Sequence, residues 1–298
     1  MIATRILDRL VARLAVGMAP PAARLTPWIV DGRPVGYLDA QRAGMLARWP
    51  DVFVVGTDAV RFASTLHTFQ PRTEALAAVA AALHHEGELS AWRNEWYAVP
   101  CHPGEAPLFL LERAAARFFG IHTRAVHLNA SSVVDGAACM WLARRSTTKA
   151  IDPGKLDNLV GGGVAAGLSL TDTLVKEAWE EAGLPETLAR SATPSGTVEV
   201  RCMQPDGLQR ETIHVHDLAI APAFVPVNQD GEVVEFRRVP VKVAAVLAGN
   251  ASGDDIVTAD ASLVIADWLL RHGHVAPGSP AFAALAALCR AEAPAPDR

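Results

Sequence analysis

An α/β (α+β) fold in two units is predicted by three observations. The chain has 298 residues, half of them hydrophobic, and at about 150 residues per domain that suggests two cores, each large enough to fold without disulfides or a structural metal. Short β-branched or aromatic runs alternate with stretches at helical spacing. The texture changes near residue 120. The expected division is a smaller α/β N-terminal domain over 1–118, followed by a second domain over 119–298 that ends in helices.

The first residues, MIATRILDRLVARLAVGMAP, place Ile2, Ile6, Leu10 and Leu14 on one helical stripe and Arg5, Arg9 and Arg13 on another. An Arg-rich amphipathic run also suits a transit peptide, but Asp8 within it favours an ordinary packing helix. Strands are expected at Trp28–Val30, Pro34–Leu38 and Asp51–Val55. One helix should start from Asp39 as N-cap and run to Trp49, where Pro50 stops it. A second covers Thr73–His85, with Leu76, Val79 and Leu83 at core spacing, and a third covers Leu108–Phe119. Between them the turn-rich stretch Ala98–Ala106 holds His102, read as a loop histidine. In the second domain, strands Ala125–Ala130 and Ala137–Ala143 join through the turn at Asp135-Gly136. Further strands are expected near Thr197–Met203 and Thr212–Leu218, then a loop over Pro226–Glu235. Helices near Ile256–Arg271 and Pro280–Ala293 and a loose tail complete the chain.

Composition narrows the function. A net charge of -5 leaves no basic excess to bind a nucleic acid polymer. No apolar run reaches the roughly 20 residues of a membrane span. Cys101, Cys139, Cys202 and Cys289 are scattered, which suits reduced thiols and a cytoplasmic protein. Only four of the 27 lysines and arginines are lysine, and Lys149, Lys155 and Lys176 crowd into one stretch.

That stretch leads into the segment that carries chemistry, Gly161 to Pro185: GGGVAAGLSLTDTLVKEAWEEAGLP. Ser169 and Asp172 form an S-x-x-D cap, and Gly183 with Pro185 supplies the stop. At about 100° per residue, Leu174, Ala178 and Ala182 face the core. Glu177, Glu180 and Glu181 fall together on an adjacent face, where like charges repel unless a cation binds them. Hard ions such as Mg²⁺ choose carboxylate oxygen. Glycines ahead of the helix allow backbone carbonyls and amides to approach a metal or phosphate.

Gly162 through Leu184 resembles the Nudix box, the loop-helix signature of hydrolases of nucleoside diphosphates linked to another moiety. Gly162, Glu177, Ala178, Glu180, Glu181, Gly183 and Leu184 stand at matching positions, while Leu168 replaces the first box Glu and Lys176 the box Arg. Those two box residues form an ion pair in the family, so their joint change bears on helix orientation and rate more than on metal binding. Lys176 is expected to find another acid, in Glu232 or Glu235. The runs WLARRSTTKAIDPGKLDNLVGGGVAAG and DGEVVEFRRVP, together with PVGYLDAQRAGMLARWPDVF, are similar to one Nudix branch in which a DUF4743-type domain precedes the Nudix domain. That branch resembles the Nudix half of fungal thiamine pyrophosphokinase fusions, implicated in converting oxidised thiamine diphosphate to monophosphates.

The resemblance implies an α/β/α sandwich with a mixed sheet and a Mg²⁺- or Mn²⁺-dependent cleavage of a P-O-P bond. It implies that Gly162, Glu177, Glu180 and Glu181 hold the metal, that Glu177 and Glu181 serve catalysis, and that Glu232 or Glu235 supplies a further acid. Arg144, Arg145, Lys149 and Lys155, in the loop feeding the glycines, are the candidate substrate-binding cations. His127 and Asn129 alternate along one strand and are candidates to face the pocket. Trp28, Tyr37, Trp92 and Trp96 are assigned chiefly to core packing. The implied partner is a small diphosphate, and members of the family often form homodimers. Competing readings are a pyrophosphatase for ADP-ribose, nucleotide sugars or dinucleotides, and a ligand-sensing module without catalysis. Isopentenyl-diphosphate isomerase shares a basic R-R…K…P-G loop, but its chemistry needs a pocket cysteine and none lies near these glycines.

Overall fold

The structure, a computed structural model, describes residues 1–19, 21–100 and 104–290. The expected loop histidine His102, the thiol of Cys101, and the tail beyond residue 290 lie outside these residues. No helix of the described residues is long and apolar enough to cross a membrane.

The chain opens with α1 (Thr4–Gly17), then β1 (Thr26–Val30), β2 (Arg33–Leu38), α2 (Ala40–Leu46), β3 (Phe53–Val55), β4 (Val60–Phe62) and α3 (Phe69–His85). The four strands form one sheet in the order β2-β1-β4-β3, with only β1 and β4 parallel. Asp39 caps α2 as its sequence implies, accepting from the Arg42 backbone N–H at 2.8 Å. The helix gives way to i→i+3 bonds over Ala47–Trp49, so it ends a turn early. Trp28 is fully buried among Phe53, Phe62, Phe109 and Phe119, with ring centroids 4.9–6.2 Å away. This confirms Trp28 as a packing residue.

A hairpin follows, β5 (Trp96–Val99) against β6 (Phe109–Glu112), with a single 3-10 turn at Arg113–Ala115. The helix expected over Leu108–Phe119 is therefore a strand and a turn. Phe109 and Leu111 are both fully buried on one face, and pairing with β5 overrides the helical spacing.

The second unit contains β7 (His122–Val134), β8 (Ala137–Arg145), β9 (Leu156–Asn158), β10 (Val160–Gly163), α4 (Leu170–Ala182), α5 (Glu186–Ala189), β11 (Thr193–Gln204) and β12 (Gly207–Ala219). It continues through β13 (Val233–Pro240), α6 (Val241–Ala248), α7 (Ala259–Arg271) and α8 (Pro280–Cys289). Its seven-stranded sheet runs β11-β12-β7-β8-β13, with β10 on β7 and β9 on β8. β12 and β7 are parallel and the other pairs antiparallel, so the sheet is mixed. The turn at Asp135-Gly136 has φ of +48° and +77°, the primed geometry that suits the strands' twist. One sheet face packs on α4 and α5 through Val126, Leu128, Leu174, Ala178 and Ala182. The other packs on α6, α7 and α8 through Ala125, Met140, Val215, Val264 and Leu285. This is the α/β/α sandwich. Two expectations shift: the loop expected over Pro226–Glu235 ends early, because Val233 begins the edge strand β13, whose alternate charged residues hide its pattern. The helix expected from Ile256 starts at Ala259, with Thr258 as its cap.

The first helix crosses the expected boundary. Leu7, Leu10 and Leu14 of α1 are buried with α6, α7 and α8, not with the four-stranded sheet, and Arg13 donates to Ser262 Oγ at 2.8 Å. A division at 118/119 thus leaves α1 on the far side, since its apolar stripe is buried only there. The units are joined tightly at residues 117–120. Gly120 has φ +57°, and a Cβ there would lie 2.0 Å from the Tyr37 carbonyl oxygen. The Tyr37 N–H donates to the Phe119 carbonyl at 3.1 Å, and the Leu208 N–H to that of Arg117 at 2.9 Å.

Replacing Leu10 with Ala should lower stability by about 2–5 kcal/mol, the range for a buried leucine. Urea unfolding should show a lower midpoint with an unchanged slope. An effect below about 0.5 kcal/mol would show that α1 does not contribute to this core.

Candidate active site

The site is built on β10 and α4. β10 pairs with β7 so that Gly161 lies opposite His127 and Gly162 opposite Val126. Helix α4 begins at the Ser169 cap, whose Oγ accepts from the Asp172 N–H at 3.1 Å, and ends at Gly183 with φ +64°. Its apolar stripe, Leu174, Ala178 and Ala182, is buried against the sheet, which turns the glutamate face onto the glycines. Contact there is too close for any side chain. A Cβ on Gly162 would stand 2.4 Å from the Cγ and Cδ of Glu177, and one on Gly163 would stand 2.1 Å from the Tyr97 Oη. The Gly161 N–H donates to Glu181 Oε2 at 2.9 Å.

A cleft of about 540 Å³ opens over this surface, lined by Glu177, Glu180, the three glycines, Lys149 and Lys176 on one side. Arg93, Tyr97 and Arg113 of the first unit also line it. Glu181 lies behind the wall, buried, and that burial pushes its carboxyl up to about 8. Burial likewise raises Glu177. Lysines meet the glutamates. Lys176 reaches Glu180 at 2.7 Å and Glu177 at 3.1 Å, and not Glu232 or Glu235 as expected. Lys149, only 8% exposed, sits 3.6 Å from Glu181 and ion-pairs with Glu232. Glu232 is also held by Arg93 at 2.6 Å. Burial would raise the Glu232 carboxyl, but Lys149 and Arg93 outweigh it and hold the group down at about 2. Among the described residues, no three acidic, histidine or cysteine side chains gather closely enough to hold a metal ion.

The remaining candidates divide. Arg145 lines the cleft and is anchored by Asp157 at 3.0 Å and by the Ile151 carbonyl. Arg144 does not reach it: its guanidinium binds Glu235 at 2.6 Å, Asp255 and the Gly154 carbonyl. Glu235 belongs to that same outer cluster, held below the usual carboxylate range by Arg237 and Arg144. Lys155 is half-buried, does not line the cleft, and pairs with Asp152. His127 and Asn129 share a face and meet through Asn158, whose Oδ1 accepts from His127 Nδ1 at 2.7 Å and whose Nδ2 donates to Asn129 Oδ1 at 3.1 Å. His127 lines the cleft, whereas Asn129 is fully buried and tied to Asp217. Leu168 is exposed at the start of α4, and Trp179 points outward at 54% exposure. Trp92 stacks on His84 at 4.8 Å, away from the glycines.

Arg93, Tyr97 and Arg113 had no signal in the sequence, because their hairpin read partly as helix. Tyr97 is deeply buried, which pushes its phenol well above the ordinary value. The Ala166 N–H donates to the Trp96 carbonyl at 2.7 Å, pinning the loop after the glycines to the same hairpin.

Residues 125–260 match the profile described as NUDIX domain, and residues 11–123 match the one described as Domain of unknown function (DUF4743). The protein named Nudix hydrolase 24, chloroplastic, of Arabidopsis thaliana is 36% identical over 259 residues, covering 86% of this chain and 70% of that protein. The chain belongs to the Nudix hydrolase family. Nudix hydrolase 20, chloroplastic, of the same plant is likewise 36% identical, over 267 residues, with 86% and 70% covered. Among solved structures, the NUDIX domain of Shewanella oneidensis NrtR complexed with ADP ribose aligns with TM-score 0.40 and 16% identity, covering 52% of this chain and 90% of that one. The chain is thus a Nudix pyrophosphohydrolase, of a family that acts on nucleoside diphosphate derivatives.

The contact between Gly163 and Tyr97 generates a test. Gly163→Ala should destabilise this Nudix hydrolase by about 1–3 kcal/mol through overpacking, and Tyr97→Phe should recover part of that loss by removing the oxygen the methyl meets. A double-mutant cycle read by chemical unfolding measures it; strictly additive losses would contradict the contact.

Proposed function

We propose that the chain hydrolyses the P-O-P link of thiamine diphosphate, or of its oxidised forms, to the monophosphate with the help of Mg²⁺ or Mn²⁺. The observation that carries the hydrolase reading is the seating of Glu177, Glu180 and Glu181 against a strand of three glycines at the wall of a cleft. The donor set is hard oxygen throughout and fits such an ion. Burial raises Glu177 and Glu181, a cost to their charged forms that a cation beside them would relieve. Glu177, Glu180, Glu181 and the Gly162 carbonyl would hold the ion once the glutamates, which do not converge on one point as they stand, turn from Lys149 and Lys176 towards it; the ion would neutralise charge on the phosphoryl oxygens.

The chain's own groups supply the rest. Water attacks one phosphorus; the new P–O bond forms as the bridging P–O bond breaks, and the leaving phosphate keeps the electron pair. Glu177, which faces the cleft, accepts the water's proton, with Glu181 behind it. Lys149, Lys176 and Arg145 add positive charge along the wall.

The thiamine assignment is supported by two further acids of the cleft. Glu211 and Asp260 line it, with Asp260 fixed by the Gln209 amide at 3.0 Å and Glu211 by the Thr123 hydroxyl at 2.8 Å. Burial and the neighbouring Glu211 push the Asp260 carboxyl up. A cationic or amino-bearing ring placed there would relieve that cost, and a thiazolium with an aminopyrimidine has both features.

A substrate panel with Mg²⁺ or Mn²⁺ tests this. Thiamine diphosphate or its oxidised forms should exceed ADP-ribose, nucleotide sugars and dinucleotides in kcat/KM, and EDTA should abolish turnover until metal is restored. A clear preference for ADP-ribose would replace the thiamine assignment with that of a nucleotide pyrophosphatase. Glu180→Gln and Glu181→Gln should each lower kcat roughly 100-fold or more with unchanged circular dichroism. No turnover of any diphosphate by the wild type would favour a ligand-sensing role.

A further inference from the structure

We propose that Arg113, from the N-terminal unit, is the cation that grips the substrate's diphosphate, so the active site is completed by a residue outside the Nudix domain. The inference rests on the hydrolase reading above and adds a residue and a task for the first unit.

The cations expected from sequence are largely engaged. Arg144 and Lys155 stand away from the cleft, bound to carboxylates of their own. Lys149 and Lys176 each spend their single ammonium on two glutamates. Arg145 is anchored to Asp157 and a backbone carbonyl.

Arg113 differs in place and in chemistry. Its Cζ lies 3.5 Å from the point where a Gly163 Cβ would stand, so the guanidinium rests directly on the glycine strand. It lines the cleft, and among the described residues its only side-chain hydrogen-bond partner is Glu95, through Nη1. Its other donors remain for a ligand, and the planar fork suits two phosphoryl oxygens at once. Its position is fixed from both sides. Its backbone N–H donates to the Glu95 carbonyl at 2.8 Å, and its Cζ lies 5.9 Å from the centre of the Tyr97 ring. Gly163 is then glycine for two reasons, the Tyr97 hydroxyl and the space beside Arg113.

The test uses the full chain and methylenediphosphonate, a diphosphate that cannot be hydrolysed at its bridge, titrated by calorimetry with Mg²⁺ present. Arg113→Gln should weaken binding about tenfold or more, and lower kcat/KM for the diphosphate substrate to match. Arg113→Lys, which keeps the charge but loses the fork, should fall between and keeps the test valid if the Gln variant folds poorly. Arg48→Gln, on the same unit but paired with Glu86 at 2.8 Å away from the cleft, is the control. Equal binding by wild type and both Arg113 variants would overturn the inference while leaving the hydrolase reading intact. A wild type that neither binds the diphosphonate nor turns over any diphosphate would overturn both.

Discussion

The Glu177 side chain lies so close to the β10 backbone that Gly162 can carry no Cβ, and most of the site follows from that approach. It seats the Glu177 carboxylate directly on the strand, one turn ahead of Glu180 and Glu181 on α4. The same closeness brings the Gly161 N–H within hydrogen-bond reach of Glu181, so a buried carboxylate gains a backbone donor that a bulkier strand would hold away. The S-x-x-D cap and the left-handed Gly183 set the ends of the helix, but the glycines set its height above the sheet. Departures from the usual box fall outside this contact. Leu168 is exposed. Lys176 restores a cation within the glutamate face itself, where Glu177 and Glu180 hold it without help from an acid ahead of the helix.

Charge neutralisation then ties the two units together. Glu181 is buried and close to Lys149; Lys149 ion-pairs with Glu232; Glu232 is held by Arg93. This run of four alternating ionisable groups starts behind the wall of the cleft and ends in the first unit. An unpaired charge is costly at the buried Glu181 and Lys149, whereas the Glu232–Arg93 end is more exposed, so the loop bearing Arg93 is coupled to the box helix less strongly. Glu232 is accordingly a clasp between cations, with its carboxyl held low, which makes it a poor proton acceptor while the clasp is closed.

The sequence made the box legible because its signals are local. Caps, an apolar stripe at 3.6 spacing and glycines in a row are all set by residues a few positions apart. Placement of Trp28 in a core and of the hairpin turn at Asp135-Gly136 was legible for the same reason. What stayed hidden depends on long-range pairing. The strand Phe109–Glu112 looks helical until β5 pairs with it, and α1 looks like part of the first unit until its leucines meet α7 and α8. Arg113 and Tyr97 come to the glycines only through that hairpin, so no spacing within the box could name them. The basic loop misled in the opposite way: four cations close in sequence point in different directions, and Arg144 and Lys155 find acids elsewhere.

Arginine and lysine are divided in this protein by geometry more than by charge. Arginine is used where a planar fork meets two acceptors, as Arg144 does with Glu235 and Asp255, or Arg72 with both oxygens of Asp31. Lysine appears in the site where one compact ammonium must stand between carboxylates from different elements or different turns. Lys149 does so between Glu181 and Glu232, and Lys176 between Glu177 and Glu180. A guanidinium at either place would impose its plane on oxygens that do not share one. Two of the chain's four lysines stand in such places. Lys155, paired outside the cleft with Asp152, shows that crowding in the sequence alone does not assign a lysine to the site. The carboxylates on both sides of the ammonium do.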